Sequence, residues 1–346
     1  MIALDAMGGD QAPAAPVAGA LLAHREFGLQ VALVGAPEAL RRELAGHGPV
    51  PSGIEIVAAR EAVDMDEAPV QAVRQKKDAS INVAMELVRR GKASAVVSAG
   101  NTGAVMAAAL LKLGRIPGIE RPALGAMAPY GETGVLVLDV GANADCRPSY
   151  LVQFAQMGSV YAEKVLGIER PRIGLLNIGE ESAKGNELTQ EVFVRLQETE
   201  LNFIGNVEPD RVHRLPADVL VTDGFTGNVA VKVTEGVADF IFGELRTVIA
   251  GRLIYRLAGR VLLPALRKMR QRMDSGEYGG APLLGVNGVV TVSHGRADAQ
   301  AIKNALRKAG EAANSGMIDA LRALSPERLP AEAAGATAPT TDGTTA

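Results

Sequence analysis

Apolar positions in this chain follow two alternating rhythms. Short runs of aliphatic and β-branched residues end on Gly, Asp, Asn or Ser, and longer Ala- and Leu-rich stretches with helical spacing separate them. Strands are predicted at 2–5, 31–35, 54–58, 95–98, 124–128, 134–140, 172–178, 202–207, 219–222 and 288–293, and helices at 13–26, 38–45, 80–90, 102–113, 150–166, 187–198, 228–250 and 297–324. This alternation builds strand–helix–strand units and a parallel sheet covered on both faces. So many strands are a large number for one sheet. Two lobes sharing a continuous or branched sheet, with a cleft between them, are therefore expected.

Two segments depart from the rhythm. The last residues, "SPERLPAEAAGATAPTTDGTTA", lack aliphatic periodicity, so a disordered tail is predicted over 326–346. Residues 240–274, "FIFGELRTVIAGRLIYRLAGRVLLPALRKMRQRMD", carry Ile249, Leu253, Leu257 and Val261 on one i, i+4 row and Arg252, Arg256 and Arg260 on a neighbouring row. Pro264 then interrupts, and Arg267, Lys268, Arg270 and Arg272 follow. A protruding helical hairpin with an apolar stripe and a basic flank is expected. It is either a packed pair with a solvated charged side or an arm that touches a membrane surface or an acidic partner.

Composition narrows the class. Apolar residues make up 47% of the 346 positions, aromatics only 3%, and 39 glycines supply tight turns, which suits an α/β chain. A formal net charge of −3 offers no global attraction to nucleic acid or an anionic membrane. The one cysteine, Cys146, has no internal partner, which fits a reducing compartment. The opening "MIALDAMGGD" has no signal-like pattern, and a cytoplasmic protein is expected.

Five polar, glycine-rich corners follow predicted strands: "DAMGGD" from Asp5, "SAGNTGA" from Ser98, "NIGEESAKGNE" from Asn177, "TDGFTGN" from Thr222 and "SHGRA" from Ser293. Glycine lets backbone approach a ligand, and a helix start carries partial positive charge, so phosphate or another anion is the natural occupant. Single glycine turns are mostly structural; five on one side of one sheet point to a ligand cleft. Dinucleotide and Walker fingerprints are absent, as are HExxH and paired CxxC spacings, so neither a cofactor nor a catalytic metal is expected. Cys146 without a neighbouring His reads as a buried small residue rather than a nucleophile.

The blocks "DAMGGD", "SAGNTGA", "DVGANADC", "LLNIGEESAKGNE", "VTDGFTGNVAVK" and "YGGAPLLGVNGVVTVSHG" together resemble, in order, the phosphate acyltransferases of bacterial phospholipid synthesis. More distantly they are similar to phosphotransacetylases. The resemblance implies one catalytic domain over 1–325 with a three-layer α/β/α architecture, mostly parallel and like isocitrate and isopropylmalate dehydrogenases. It also implies a homodimer, and transfer of an acyl group from acyl-[acyl-carrier protein] to inorganic phosphate. Phosphate is already nucleophilic, so the protein need only hold it, stabilise an oxyanion and ease thiolate departure.

On that reading Lys184, Asp223, Asn228, Lys232 and His294 are the catalytic candidates. Asp5, Gly8, Gly9, Ser98, Asn101, Thr102, Gly103, Asn186, Thr226, Gly227 and Ser293 are candidates for holding phosphate or substrate. Helix capping or solvation is the plain alternative for several of them. His294 departs from the phosphotransacetylase pattern, which pairs the closing serine with arginine. Arg74, Lys76 and Lys77, with the row Arg252, Leu253, Arg256, Leu257 and Arg260, are the candidate contacts for an acidic carrier protein or a membrane. Hand-over of product to a membrane glycerol-3-phosphate acyltransferase is implied, hence peripheral membrane association. Two other readings stay open: a phosphotransacylase using acyl-coenzyme A, and a non-catalytic membrane-associated scaffold.

Overall fold

A computed structural model describes residues 1–130, 134–212, 217–273 and 275–324. The tail expected at 326–346 lies outside the described residues. Among the described residues eleven strands form one continuous sheet: β1 (Ile2–Asp5), β2 (Val31–Gly35), β3 (Ile54–Ala58), β4 (Ala95–Ser98), β5 (Ala123–Ala128), β6 (Val135–Leu138), β7 (Ile173–Leu176), β8 (Phe203–Val207), β9 (Val219–Val221), β10 (Ala281–Leu284) and β11 (Val289–Val292). Their spatial order is β3-β2-β1-β4-β11-β10-β5-β6-β9-β7-β8. Most strands are buried along their whole length, as the unbroken aliphatic runs require.

Direction matters most here. The first five strands in that order are mutually parallel, as are the last four. Between them β10 runs antiparallel to β11, β5 antiparallel to β10, and β6 antiparallel to β5. Three reversals leave the two parallel halves pointing in opposite directions.

Helices α1 (Ala14–Phe27), α2 (Pro37–Ala45), α6 (Pro148–Lys164), α7 (Glu187–Gln197), α10 (Ala299–Asn314) and α11 (Met317–Arg322) build the main core on one face, with Phe154, Leu4, Leu33 and Leu138 fully buried. Each such side chain contributes roughly 1.5–3 kcal/mol. On the other face α3 (Pro69–Gln75), α4 (Ser80–Arg89) and α5 (Thr102–Lys112) cover the first half. α8 (Gly224–Gly251) lies over β5 and β6.

Several elements differ from expectation. β10 and α3 were not predicted, because Gly279, Gly280 and Pro282 mask one and the short span of the other hides its period. The final helix is two, since Gly316 adopts φ 74°, a left-handed turn that glycine accepts without strain. The basic segment breaks at Arg252, in extended conformation, and not at Pro264, which lies inside α9 (Leu253–Met273). Ile249 therefore belongs to α8 while Leu257 and Val261 belong to α9, and the expected single row is divided. Where the two helices meet, Ile249 covers the face of Gly259.

Candidate functional site

The reversal sorts the glycine-rich corners into two groups. β1, β4 and β11 finish at one rim of the sheet, whereas β6, β9 and β7 finish at the opposite rim. The five corners thus do not share one side of the sheet, correcting the expectation of a single convergent cleft within one chain. Period and propensity see strands but not which way they run.

At the first rim the turns after three adjacent strands interlock. The Ser98 hydroxyl donates to Asp5 Oδ2 at 2.7 Å and accepts from Gly100 N at 3.0 Å; Asp10 N donates to the Gly295 carbonyl at 2.8 Å. Asp5 and Ser98 are buried, and burial pushes the Asp5 carboxyl above its ordinary value, its hydrogen bonds from Ser80, Ser98 and the Met7 and Gly8 amides pulling the other way. A Cβ on Gly8 would sit 2.7 Å from Asp5 Oδ2 and 2.8 Å from Gly100 N. Glycine is required there by close backbone approach, and Gly9 beside it has φ 99°. Asn101 caps α5 by accepting from Ala104 N at 3.1 Å, and its amide donates to Met65 O at 2.9 Å. Thr102 and His294 are exposed, Gly103 packs on Pro69, and Ser293 is buried. His294 Nδ1 accepts from Arg296 N at 3.2 Å, which leaves Nε2 to carry the proton of the neutral ring.

The second rim is organised by Asp139, a residue the sequence reading left unassigned. Its carboxylate accepts from Leu124 N (3.0 Å), Gly141 N (3.1 Å), Ala142 N (3.0 Å), Asn143 N (2.7 Å) and Asn143 Nδ2 (2.9 Å). Burial raises its pKa while these donors oppose the rise. The turn's amides are filled by the protein's own anion. From it, the Asn143 carbonyl accepts from Gly224 N at 2.8 Å, fixing the start of α8. Asp223 caps that helix by accepting from Thr226 N at 2.8 Å, and the Asn228 amide lies over Gly141. Gly227 packs directly on the Asp139 carbonyl. Thr226 and Lys232 are exposed.

Beside it, the loop after β7 is pinned from beneath. Asn177 Nδ2 donates to the Lys184 carbonyl (3.1 Å), Asn206 Nδ2 to the Glu181 carbonyl (2.9 Å) and Gln190 Nε2 to the Ala183 carbonyl (2.8 Å). Gly185, at φ 92°, abuts Thr189 and Asn177 and leaves no room for a side chain. Asn186 caps α7 by accepting from Thr189 N at 3.0 Å. The Lys184 side chain is exposed, and its stem crosses Gly179. This loop holds a lysine toward solvent on a fixed backbone.

Other candidates separate from both groups. Arg74 and Lys77 are exposed, whereas Lys76 Nζ is taken up by the Ala62 carbonyl and Glu67 Oε2, both at 2.7 Å. Arg256, Leu257 and Arg260 are exposed on α9, and Arg252, exposed at the break between α8 and α9, lies over the Tyr255 ring; the Leu253 side chain lies outside the described residues. α8 reaches from the second rim to the first, where the Thr234 hydroxyl meets Tyr130 Oη at 3.3 Å, so its distal part and α9 stand beyond the first rim. Cys146 is half-buried with its thiol pushed up to about 12, chiefly by burial, so it is not a thiolate near neutral pH. No helix among the described residues is long and apolar enough to cross a membrane.

Comparison with known proteins matches residues 1–320 to a family described as fatty acid synthesis protein. A phosphate acyltransferase from Desulfitobacterium hafniense is 52% identical over 322 residues, covering 93% of this chain and 96% of the relative. Among solved structures, a phosphotransacetylase from Staphylococcus aureus superposes with TM-score 0.61 at 16% identity, covering 90% of this chain and 93% of that one. A 4-hydroxythreonine-4-phosphate dehydrogenase from Klebsiella pneumoniae gives 0.53 at 14% identity over 91% and 99%. The last two likenesses bear on the three-layer fold alone.

Proposed function

The chain belongs to the phosphate acyltransferase family, and from that premise we propose that it moves an acyl group from a thioester donor onto inorganic phosphate for fatty acid and phospholipid synthesis. The family match over residues 1–320 carries the reading. A phosphate oxygen attacks the thioester carbon, the carbonyl oxygen gains charge, and collapse expels the thiolate, giving acyl phosphate. Lys184 and Asn228 supply charge and a hydrogen bond to phosphate or oxyanion, with Lys232 as a second cation. Asp223 and Asp139 position the start of α8. His294 Nε2–H meets the leaving sulfur, and Thr102 orients the donor, while the Asn101 side chain is taken up by the cap of α5 and by the Met65 carbonyl.

Two copies assemble the site. One chain holds its Lys184–Asn228 group and its Thr102–His294 group at opposite rims, and a two-fold pairing that crosses α8 against α8 of a second copy would bring unlike rims together. The outer face of α8 supports this: Phe225, Val229, Val233, Val237 and Phe240 are all exposed, with open glycines at Gly236 and Gly243. The architecture is that of the isocitrate and isopropylmalate dehydrogenases, with the two halves of the sheet as lobes about a cleft, in one catalytic domain over 1–325.

The donor is acyl-carrier protein, met by Arg74 and Lys77. The α8–α9 arm, with exposed Ile254, Leu257, Val261 and Leu262 beside Arg256 and Arg260, rests on the cytoplasmic membrane face and delivers product to a glycerol-3-phosphate acyltransferase. Phosphate-dependent thiol release, measured with acyl-carrier protein and acyl-coenzyme A donors at equal concentration, tests the whole reading. Lys184→Ala and Asn228→Ala should each lose on the order of a hundredfold in turnover. Near-normal rates in both would refute the assignments, and preference for the coenzyme A donor would refute the carrier.

A further inference from the structure

The run "AVRQKKDAS" reads in sequence as a docking patch, yet one of its lysines points inward. Lys76 Nζ grips the Ala62 carbonyl and Glu67 Oε2, each at 2.7 Å, and Glu67 Oε2 also accepts from Asp64 N at 2.9 Å. The strap 62–67 is thereby tied at both ends by one cation. Its middle is tied by a different group, since Asn101 Nδ2 donates to the Met65 carbonyl at 2.9 Å and to the Glu67 carbonyl at 3.4 Å. Asn82, itself buried, fixes the lysine's own segment through the Val73 and Lys76 carbonyls at 2.9 and 2.8 Å. The strap therefore crosses the first rim in one defined position.

Between these ties the Met65 carbonyl is held by Asn101 of the β4 corner, and the Met65 side chain reaches Gly295 of the β11 corner. Its Cε sits only 2.9 Å from where a Cβ on Gly295 would be, so Gly295 leaves the space that the thioether fills. Met65 is nevertheless 44% exposed, and Val70, at the start of α3, is 52% exposed. The polar groups beneath, Ser98 and Asp5, bond to one another. A methionine offers no hydrogen-bond donor for phosphate; it offers an adaptable apolar edge.

We propose that Met65 is a wall of the acyl-chain path and sets preference for long over short chains, and that Lys76 with Glu67 are positioning residues that hold the wall in place. This rests on the acyl-transfer reading. An alkyl chain passing the first rim lies along Met65 and Val70 while its thioester stays near His294, so chain length is read by how much of the chain reaches the strap.

The test compares steady-state kinetics with butanoyl and hexadecanoyl thioesters at saturating phosphate. Met65→Gln keeps the length of the side chain and makes it polar; it should raise KM for the hexadecanoyl donor about tenfold, the worth of one or two methylenes leaving water. Its kcat, and KM for the butanoyl donor, should not move. Lys76→Met, which removes the latch, should give the same length-dependent rise, and Met65→Leu should restore the wild-type ratio. Equal changes for both donors, or none for either, would overturn the assignment. Wild-type protein that released thiol from neither donor would instead overturn the acyl-transfer reading, and this inference with it.

Discussion

Replacing Asp139 by alanine removes a carboxylate that accepts from five donors. Of these, the Gly141 and Ala142 amides are exposed or half-exposed and water can take over, and Asn143 Nδ2 keeps its bond to the Pro122 carbonyl at 2.8 Å, whereas Leu124 N and Asn143 N are buried. A buried donor left without an acceptor costs about 1–3 kcal/mol. Two of them give roughly 2–6 kcal/mol, a large share of the ~5–15 kcal/mol that holds a typical fold. Asn at this position separates charge from geometry: its carbonyl keeps the Leu124, Gly141 and Ala142 bonds, while its amino group faces the Asn143 donors and loses that pair. Asp139→Asn should therefore cost less, about 1–3 kcal/mol. Urea unfolding followed by circular dichroism ranks wild type, Asn and Ala in that order, with unchanged slopes. An alanine variant within about 1 kcal/mol of wild type, or less damaging than the asparagine one, would refute the account of Asp139 as the hub of the second rim.

Further expectations follow from neighbouring features. Gly227→Ala gains about 1 kcal/mol of helix propensity but drives a methyl into the Asp139 carbonyl; net destabilisation and lost turnover are expected, and a raised Tm would contradict the packing. Cys146, half-buried with its thiol near 12, should resist iodoacetamide at neutral pH until denaturant is added, and Cys146→Ser should retain turnover; rapid labelling of the native protein would contradict this. For Asp218, burial raises the pKa, but hydrogen bonds from Arg172, at 2.7, 2.9 and 3.0 Å, more than offset it and leave the carboxyl below its ordinary value. Its folded pKa being the lower, the stabilisation is present above the unfolded carboxylate pKa of about 4 and is lost as pH falls through the folded value. Asp218→Asn should flatten the acid limb of the stability profile, and an unchanged limb would remove this pair from the explanation.

Ten of the strands stood out in the sequence because each is a compact aliphatic run ending on a turn residue, and the corners of interest followed from those endings. β10 did not, since "GGAPLLG" mixes strand and turn residues within a few positions and its pairing is set by neighbours far along the chain. Strand direction, the fact that decides which corners can meet, is tertiary and has no local signature. Lys184 drew notice because a lysine in a polar, glycine-flanked loop has no obvious structural duty; the Asn177, Asn206 and Gln190 bonds that pin its backbone come from residues that the sequence does not place beside it. Lys76 misled because its partners, Ala62 and Glu67, are brought to it only by a turn of the chain. Asp139 was overlooked for the opposite reason: an aspartate closing a strand is so ordinary a sight that its five bonds could not be guessed.

The place of β10 and β11 has a consequence for biosynthesis. These two strands, emerging late from the ribosome, wedge between β4 and β5, which are made much earlier, and α10 then lies along α1 with Ile302 filling the notch at Gly19. The early-made portion therefore leaves β4 and α1 with unfilled sides until translation is nearly finished. A nascent chain stopped before residue 281 would expose two raw sheet borders at once, the kind of surface that chaperones hold and proteases find.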